Sequence, residues 1–461
     1  MYLAIDQGTT GTRSALFDSS GALVDSAYRE LRQIYPKPGW VEHDPEEIWE
    51  SVVATISLLL NRNRAKIEAI GITNQRETVL LWDRSGKPLH NAIVWQCRRT
   101  SLLCDSLRNY EQEIRTKTGL PLDPYFSGTK IRWLLDHVQR EDVLVGTIDA
   151  WLIWKLTRGK VHATDHTNAS RTMLFNIRTM EWDEHLCELL GVPMGILPEV
   201  RRSIGDFGVV SAIPELAGVP IRAAAGDQQA ALFAHRDRAK CTYGTGAFLL
   251  MRTSEPVDSR DLITTLAVDA DGSPCYAIEG SVFIAGAVVQ WCRDELGILD
   301  HAGDSEALAR SVPDNGGTYL VPAFCGLRAP YWDPEARGTL VGITRGTTRA
   351  HIVRAALESI AFQVADVFQI MEKESGLSQK DMAVDGGAAA NNLLCQFQAD
   401  ILQKRIIRSG MLEATSLGAA RMAGAGSSGG AVDAFVPTMS AQERHENLAG
   451  WKRAVRQART R

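Results

Sequence analysis

The chain has 461 residues, 45% hydrophobic and 23% charged, with a formal net charge of −5. That length exceeds one ordinary core and predicts two domains of roughly 200 residues each. The composition excludes wholesale disorder, and a pI near 6.1 gives no electrostatic reason to expect a nucleic-acid partner.

The eight cysteines are scattered without a C-x-x-C pair, which excludes zinc-ribbon and thioredoxin-type motifs and predicts reduced thiols. Met1 leads straight into a strand rather than a leader-like segment, and apolar runs such as residues 56–60 fall far short of the ~20 residues a membrane helix needs. A cytoplasmic protein is expected. The basic run Trp451–Arg461 reads as a solvated helix face.

In chain order, residues 2–5, 13–17 and 22–28 alternate with turns at 7–12 and 18–21, which predicts a meander of three strands. Apolar residues at helical spacing over 46–61, opened by Pro45, predict a helix. Residues 67–73 read as a buried strand with Asn74-Gln75-Arg76-Glu77 at its end. A further strand over 143–148 precedes a helix over 149–156. The rhythm restarts at 221–225, which leads into Gly226-Asp227-Gln228-Gln229, and CTYGTG (241–246) forms a second Gly/Thr turn before a strand at 248–251. A long helix is predicted over 351–373, then a strand at 382–385 entering Gly386-Gly387, then a helix over 391–402. The fold class expected is α/β with two lobes, each opening a phosphate-type turn toward a shared cleft, divided near residue 235 into 1–235 and 236–461.

Two motifs are set aside. Gly424, Gly426 and Gly429 spell G-x-G-x-x-G, but a helical pattern rather than a strand precedes them, so a surface loop is the better reading. His162, Asp165 and His166 have ligand spacing without a third convergent group, which favours a structural role. The P-loop signature G-x-x-x-x-G-K-[ST] is absent. Instead, Asp6 through Arg13 (DQGTTGTR) form a turn rich in N–H and hydroxyl donors, with a carboxylate in front and a cation behind. Such a turn can cradle phosphate oxygens, and Asp6 can hold Mg²⁺ directly or through water.

AIDQGTTGTR (4–13), QIYPKPGWVEHDP (33–45), GITNQRET (71–78), AIVWQCRRT (92–100), DPYFSGTK (123–130), TNASRTMLFNI (167–177), AGDQQAALF (225–233), YGTG (243–246) and VDGGAAANN (384–392) occur in this order. Together they resemble the glycerol kinase branch of the FGGY carbohydrate kinases, whose ribonuclease-H-like lobes are similar to those of actin, hexokinase and Hsp70. The resemblance implies an ATP-dependent kinase for glycerol, a Mg²⁺ cofactor and a homo-oligomer, dimer or tetramer. It implies that Arg76, Glu77, Trp95, Tyr125, Asp227 and Gln228 line the polyol pocket, with Asp227 as catalytic base. Arg76 as donor and Glu77 as acceptor suit hydroxyls that do both, and Trp95 and Phe248 offer apolar faces to the carbon chain. For the nucleotide it implies Thr9, Thr10, Gly11 and Arg13 in the first lobe and Thr245 in the second. Gly286, Gln290, Gly387 and Asn391 would then hold the nucleoside side. Lobe closure would complete the site and exclude water.

The pattern also departs from the family. Gly11 stands where a serine is common, and Arg328 stands in CGLRAPYW (325–332) where a small residue is usual. The segment 203–221 is short and lacks the arginine-bearing loop that binds fructose 1,6-bisphosphate in some relatives, so that control is not expected here. The regions 137–146 and beyond 423 are abbreviated as well. The competing readings are a related kinase for another polyol or ketose, and a non-catalytic ATP-binding module on the same fold.

Overall fold

The computed structural model describes residues 1–64, 66–235, 239–410, 413–427 and 432–460. Two mixed sheets organise it. The first has five strands in the order Ile221–Gly226, Ala69–Asn74, Tyr2–Gln7, Gly11–Phe17, Leu23–Glu30. The first three of these run parallel, and the last two turn back as the predicted meander. The second sheet repeats the plan. Strand Ala239–Tyr243 lies between an antiparallel partner, Ala247–Thr253, and a parallel one, Asp381–Asp385, with Pro274–Val282 and Arg405–Ser409 beyond them. Ile263–Val268 and Val432–Phe435 close the two edges.

Local chemistry explains the elements. Helix Pro45–Arg62 opens with proline after Asp44, whose carboxylate accepts from Glu46 N at 2.9 Å, and it buries Ile48, Val52, Ile56 and Leu59 at helical spacing. Ala69–Asn74 is buried along its whole length, as a central parallel strand requires. The long helix Arg349–Ser375 buries a continuous stripe from Ala350 to Met371 under the second sheet. Helix Ala441–Ala458 is less solvated than its basic composition suggests. Trp451 is buried, stacks on Phe362 and donates to Asp366 at 2.8 Å.

One element crosses the expected division of the chain. Helix Ala414–Ala423 leaves the second sheet and packs on the first, alongside helix Asp227–His235. A small-residue core joins Ala4, Ala15 and Phe17 to Ala231, Leu417 and Ala420. The approach is close: a Cβ on Gly71 would lie 2.1 Å from Ala419 O, and one on Gly418 would lie 1.9 Å from Ala230 O. The third glycine of the G-x-G-x-x-G motif, Gly429, lies outside the described residues. Gly426 N donates to Ser19 O at 3.0 Å, which ties this loop to the first lobe.

Candidate active site

Parallel strands present their carboxyl ends on one edge, and open α/β sheets bind ligands there. In the first sheet Gln7, Asn74 and Gly226 stand in register on that edge. The turn Gly8-Thr9-Thr10, the pair Arg76-Glu77 and Asp227 therefore emerge side by side. In the second sheet Thr242 is level with Asp385, and Ala247 with Val282. The turn Gly244–Gly246 thus meets both Gly386 and the start of helix Gly286–Asp294. Glycine is required at these meetings, since a Cβ on Gly286 would lie 2.6 Å from Gly244 O and one on Gly386 2.5 Å from Tyr243 O.

The two edges enclose a cleft of about 570 Å³. Ten of the predicted residues line it: Thr9, Thr10, Arg76, Glu77, Trp95, Tyr125, Asp227, Gln228, Thr245 and Phe248. Arg76 is buried, and its Nε lies 3.2 Å from the Asp227 carboxylate. Glu77 adopts a left-handed backbone (φ +61°), a strained conformation held where its carboxylate is needed. Tyr125 meets Trp95 edge-on at 5.4 Å, and Trp95 Nε1 donates to Thr9 Oγ at 2.9 Å. The Gly/Thr turn and this aromatic wall are therefore one connected unit. A neutral relay braces it: Gln33 donates to Thr9 O, and His43 links Gln33 to Gln75. Burial pushes the His43 pKa down to about 4, so this imidazole stays uncharged.

Two residues that sequence reasoning missed complete the charge arrangement. Glu279, on second-sheet strand Pro274–Val282, accepts from Arg76 Nη1 and Nη2 at 2.5 and 3.2 Å and from Arg171 Nη2 at 3.0 Å. Arg171 in turn donates through Nε to Glu77 Oε1 at 2.6 Å. All four groups are buried. Burial alone would raise the Glu279 pKa, but Arg171 and Arg76 hold it down at about 2. Burial shifts Glu77 the other way, above the usual carboxylate range, against the pull of Arg171. The only available sequence signal was that Arg171 falls inside the TNASRTMLFNI block. The same block buttresses the strand ends, since Asn168 and Asn74 exchange carboxamide bonds and Thr167 Oγ accepts from Gly226 N at 2.9 Å.

Two buried lysines hold the walls. Lys130 Nζ donates to Tyr125 O at 2.5 Å, and Lys240 Nζ donates to Gln228 Oε1 and to Thr242 Oγ1. Asp6 lies behind the turn, where Ser416 Oγ donates to it at 3.2 Å. Burial, then the nearby Asp227 and Glu413 carboxylates, raise its pKa to about 7.

The remaining predicted residues lie outside the cleft lining. Arg13 pairs with Glu413 at 3.1 Å. Gly11 is buried, and a Cβ there would lie 2.4 Å from the Tyr28 hydroxyl, so serine would displace that ring. Gly286 forms the turn described above, Gln290 is exposed on the following helix, and Gly387 is exposed beside Gly386. Asn391 caps helix Asn392–Leu402 by accepting from Leu394 N at 3.0 Å. His162 bonds the Val145 carbonyl and Asp165 caps the turn after it. No group of three or more metal-type side chains occurs among the described residues.

Residues 1–234 match the model of the FGGY family of carbohydrate kinases, N-terminal domain, and residues 239–427 match that of its C-terminal domain. The glycerol kinase of Carboxydothermus hydrogenoformans is 52% identical over 490 aligned positions, covering 99% of this chain and 98% of its own. That of Petrotoga mobilis is 53% identical over 487, with the same coverage. Both alignments are longer than this chain, which therefore carries internal gaps relative to these proteins. The crystal structure of Plasmodium falciparum glycerol kinase with ADP superposes with a TM-score of 0.92 at 36% identity, covering 99% of this chain and 98% of that one. A gluconate kinase from Lactobacillus acidophilus shares the fold, at 23% identity and a TM-score of 0.88.

Proposed function

We infer that this chain, which belongs to the FGGY family of carbohydrate kinases, transfers the γ-phosphoryl group of ATP to glycerol, giving sn-glycerol 3-phosphate. One observation carries the reading: a donor (Arg76), an acceptor (Glu77) and a carboxylate (Asp227) lie side by side at the ends of neighbouring strands. All three face one cleft that also holds the Gly/Thr turns of both lobes.

A three-carbon polyol satisfies this set. Arg76 donates to one hydroxyl and Glu77 accepts from another, while Trp95, Tyr125 and Phe248 cover the carbons, and an analogue lacking a hydroxyl would leave buried partners unpaired. Asp227 accepts the hydrogen bond of the terminal hydroxyl and takes its proton as the oxygen–phosphorus bond forms. Arg76 Nε, 3.2 Å away, fixes the orientation of that carboxylate. Phosphoryl transfer has a loose transition state, so alignment and charge neutralisation account for most of the acceleration. Thr9, Thr10, Gly11 and Arg13 from one lobe and Thr245 from the other are assigned to the phosphates. Gly286, Gln290, Gly387 and Asn391 are assigned to the nucleoside side. The two lobes divide near residue 235.

Mg²⁺ belongs to the proposal, with Asp6 as its protein ligand, because a half-buried carboxylate crowded by Asp227 and Glu413 is relieved by a cation. Bound there with ATP, it would neutralise phosphate charge. A cytoplasmic homo-oligomer, dimer or tetramer, completes the reading. Among the described residues no helix is long and apolar enough to cross a membrane.

The test is to incubate purified protein with Mg-ATP and a panel of polyols, sugars and ketoses, and to measure ADP and phosphorylated product. Glycerol should be preferred, with one phosphoester formed per ADP. Preference for a pentitol or ketose, or ADP release without a phosphopolyol, would overturn the assignment.

A further inference from the structure

Arg328 stands on the second-lobe wall of the same cleft, and nothing in the chemistry above uses it. Its loop is fixed. Leu327 and Asp333 exchange backbone hydrogen bonds at 2.8 and 2.9 Å, and the Asp333 carboxylate accepts from Thr460 N at 2.7 Å. The guanidinium is half-buried with its carbon 4.4 Å from the Phe283 ring centroid. Among the described residues no carboxylate lies within ion-pair distance of it. Burial holds its pKa below the ordinary arginine value, and the opposite charge acting most strongly on it is Asp123.

Asp123 lines the cleft from the first lobe. Its Oδ1 accepts from Tyr125 N at 2.9 Å, and its same-lobe cation, Arg98, is 3.7 Å away and half exposed. Asp123 thus holds the backbone of a polyol-pocket residue while keeping capacity for a second cation. A half-buried guanidinium with aromatic contacts but no ion-pair partner is incompletely compensated, and approach of the lobes reduces that penalty by bringing the two charges together.

We propose that Arg328 and Asp123 form an ion pair across the cleft mouth when the lobes close, positioning Tyr125 against the polyol and sealing the pocket from water. Arg328 is then a positioning residue, acting through Asp123 and Tyr125. The inference rests on the kinase reading above, and its test separates the two.

Arg328→Gln, Asp123→Asn and the double variant are compared with wild type. Asparagine keeps an oxygen for Tyr125 N and removes only the charge. Each single variant should raise the glycerol KM about 3- to 10-fold, leave kcat within about twofold and increase ATP hydrolysis in the absence of polyol. The double variant should be no worse than the worse single one. Hydrogen–deuterium exchange should show residues 120–127 and 323–333 protected together on adding Mg-ADP and glycerol, with that protection lost in either single variant. Additive effects, or protection unchanged by both substitutions, would overturn the pair. So would a hundredfold loss of kcat in Arg328→Gln with Asp123→Asn silent, which would place Arg328 on the transferred phosphoryl group. If wild type fails to phosphorylate glycerol, the functional reading falls, and exchange with Mg-ADP alone still decides on the pair.

Discussion

Asp227 and Lys130 show two ways in which a buried site uses charge. Asp227→Asn removes the proposed proton acceptor while leaving the turns assigned to the nucleotide untouched. We expect kcat to fall by about 10²- to 10⁴-fold with the ATP dissociation constant changed less than about twofold, measured by steady-state assay and calorimetry. Turnover near wild type would remove Asp227 from the role of base. Lys130 makes a prediction about stability. Burial lowers its pKa to about 8, whereas the unfolded chain keeps an ordinary lysine near 10.4. Between those values the unfolded state binds more protons, so stability rises with pH across that window, while below it this group's full penalty is present and adds no pH dependence. From pH 7.5 to 9.5 wild type should gain about 2 kcal/mol relative to Lys130→Met, read from urea unfolding. An identical pH dependence would mean that the amine keeps its proton in the folded state. Nine of the ten predicted cleft-lining residues were legible because each sits in a local block with its own chemistry, and Phe248 lies just past one. Glu279 was not, because its meaning comes from Arg76, 203 residues away, and Arg171, 108 away.

At the scale of elements, most strands and helices were legible, because period-two and helical patterns follow directly from which face is buried. The strand expected at 67–73 is Ala69–Asn74, and the helix expected at 351–373 is Arg349–Ser375. What the pattern could not show is where helix Ala414–Ala423 packs, since amphipathicity names a face and not its partner. That packing controls the site, because Gly418 abuts Ala230 on the helix that begins with Asp227. Gly418→Ala adds helix propensity, yet its methyl would lie 1.9 Å from a backbone carbonyl. The clash wins: we expect a loss of about 1–3 kcal/mol in stability and a kcat/KM about tenfold lower as Asp227 is displaced. Gly195→Ala, where a Cβ meets nothing within 4 Å, is the matched control and should be neutral. A cooler melt with unchanged kinetics would show that the two helices shift without moving the carboxylate.

For the whole molecule, the Arg76–Glu279–Arg171 cluster is a buried ionic tie between the lobes. A residue of the second sheet holds two residues of the first. Glu279→Gln leaves two guanidiniums partly unpaired, and breaking such buried pairs typically costs ~3–5 kcal/mol. We expect a lower melting temperature and a glycerol KM raised at least tenfold, with nucleotide affinity less affected. The reverse pattern, with nucleotide binding lost and glycerol binding intact, would mean that the cluster serves the other side of the cleft. The proposed division near residue 235 does not anticipate the return of residues 414–426 to the first sheet. That return shapes how the protein is made. On a ribosome, residues 1–235 emerge with their sheet bare on the face that Leu417, Ala419 and Ala420 later cover. The first lobe must therefore remain unfinished until nearly the whole chain has been synthesised. A fragment ending at residue 235 should accordingly be sticky and chaperone-dependent, and supplying residues 414–426 in trans should render it compact.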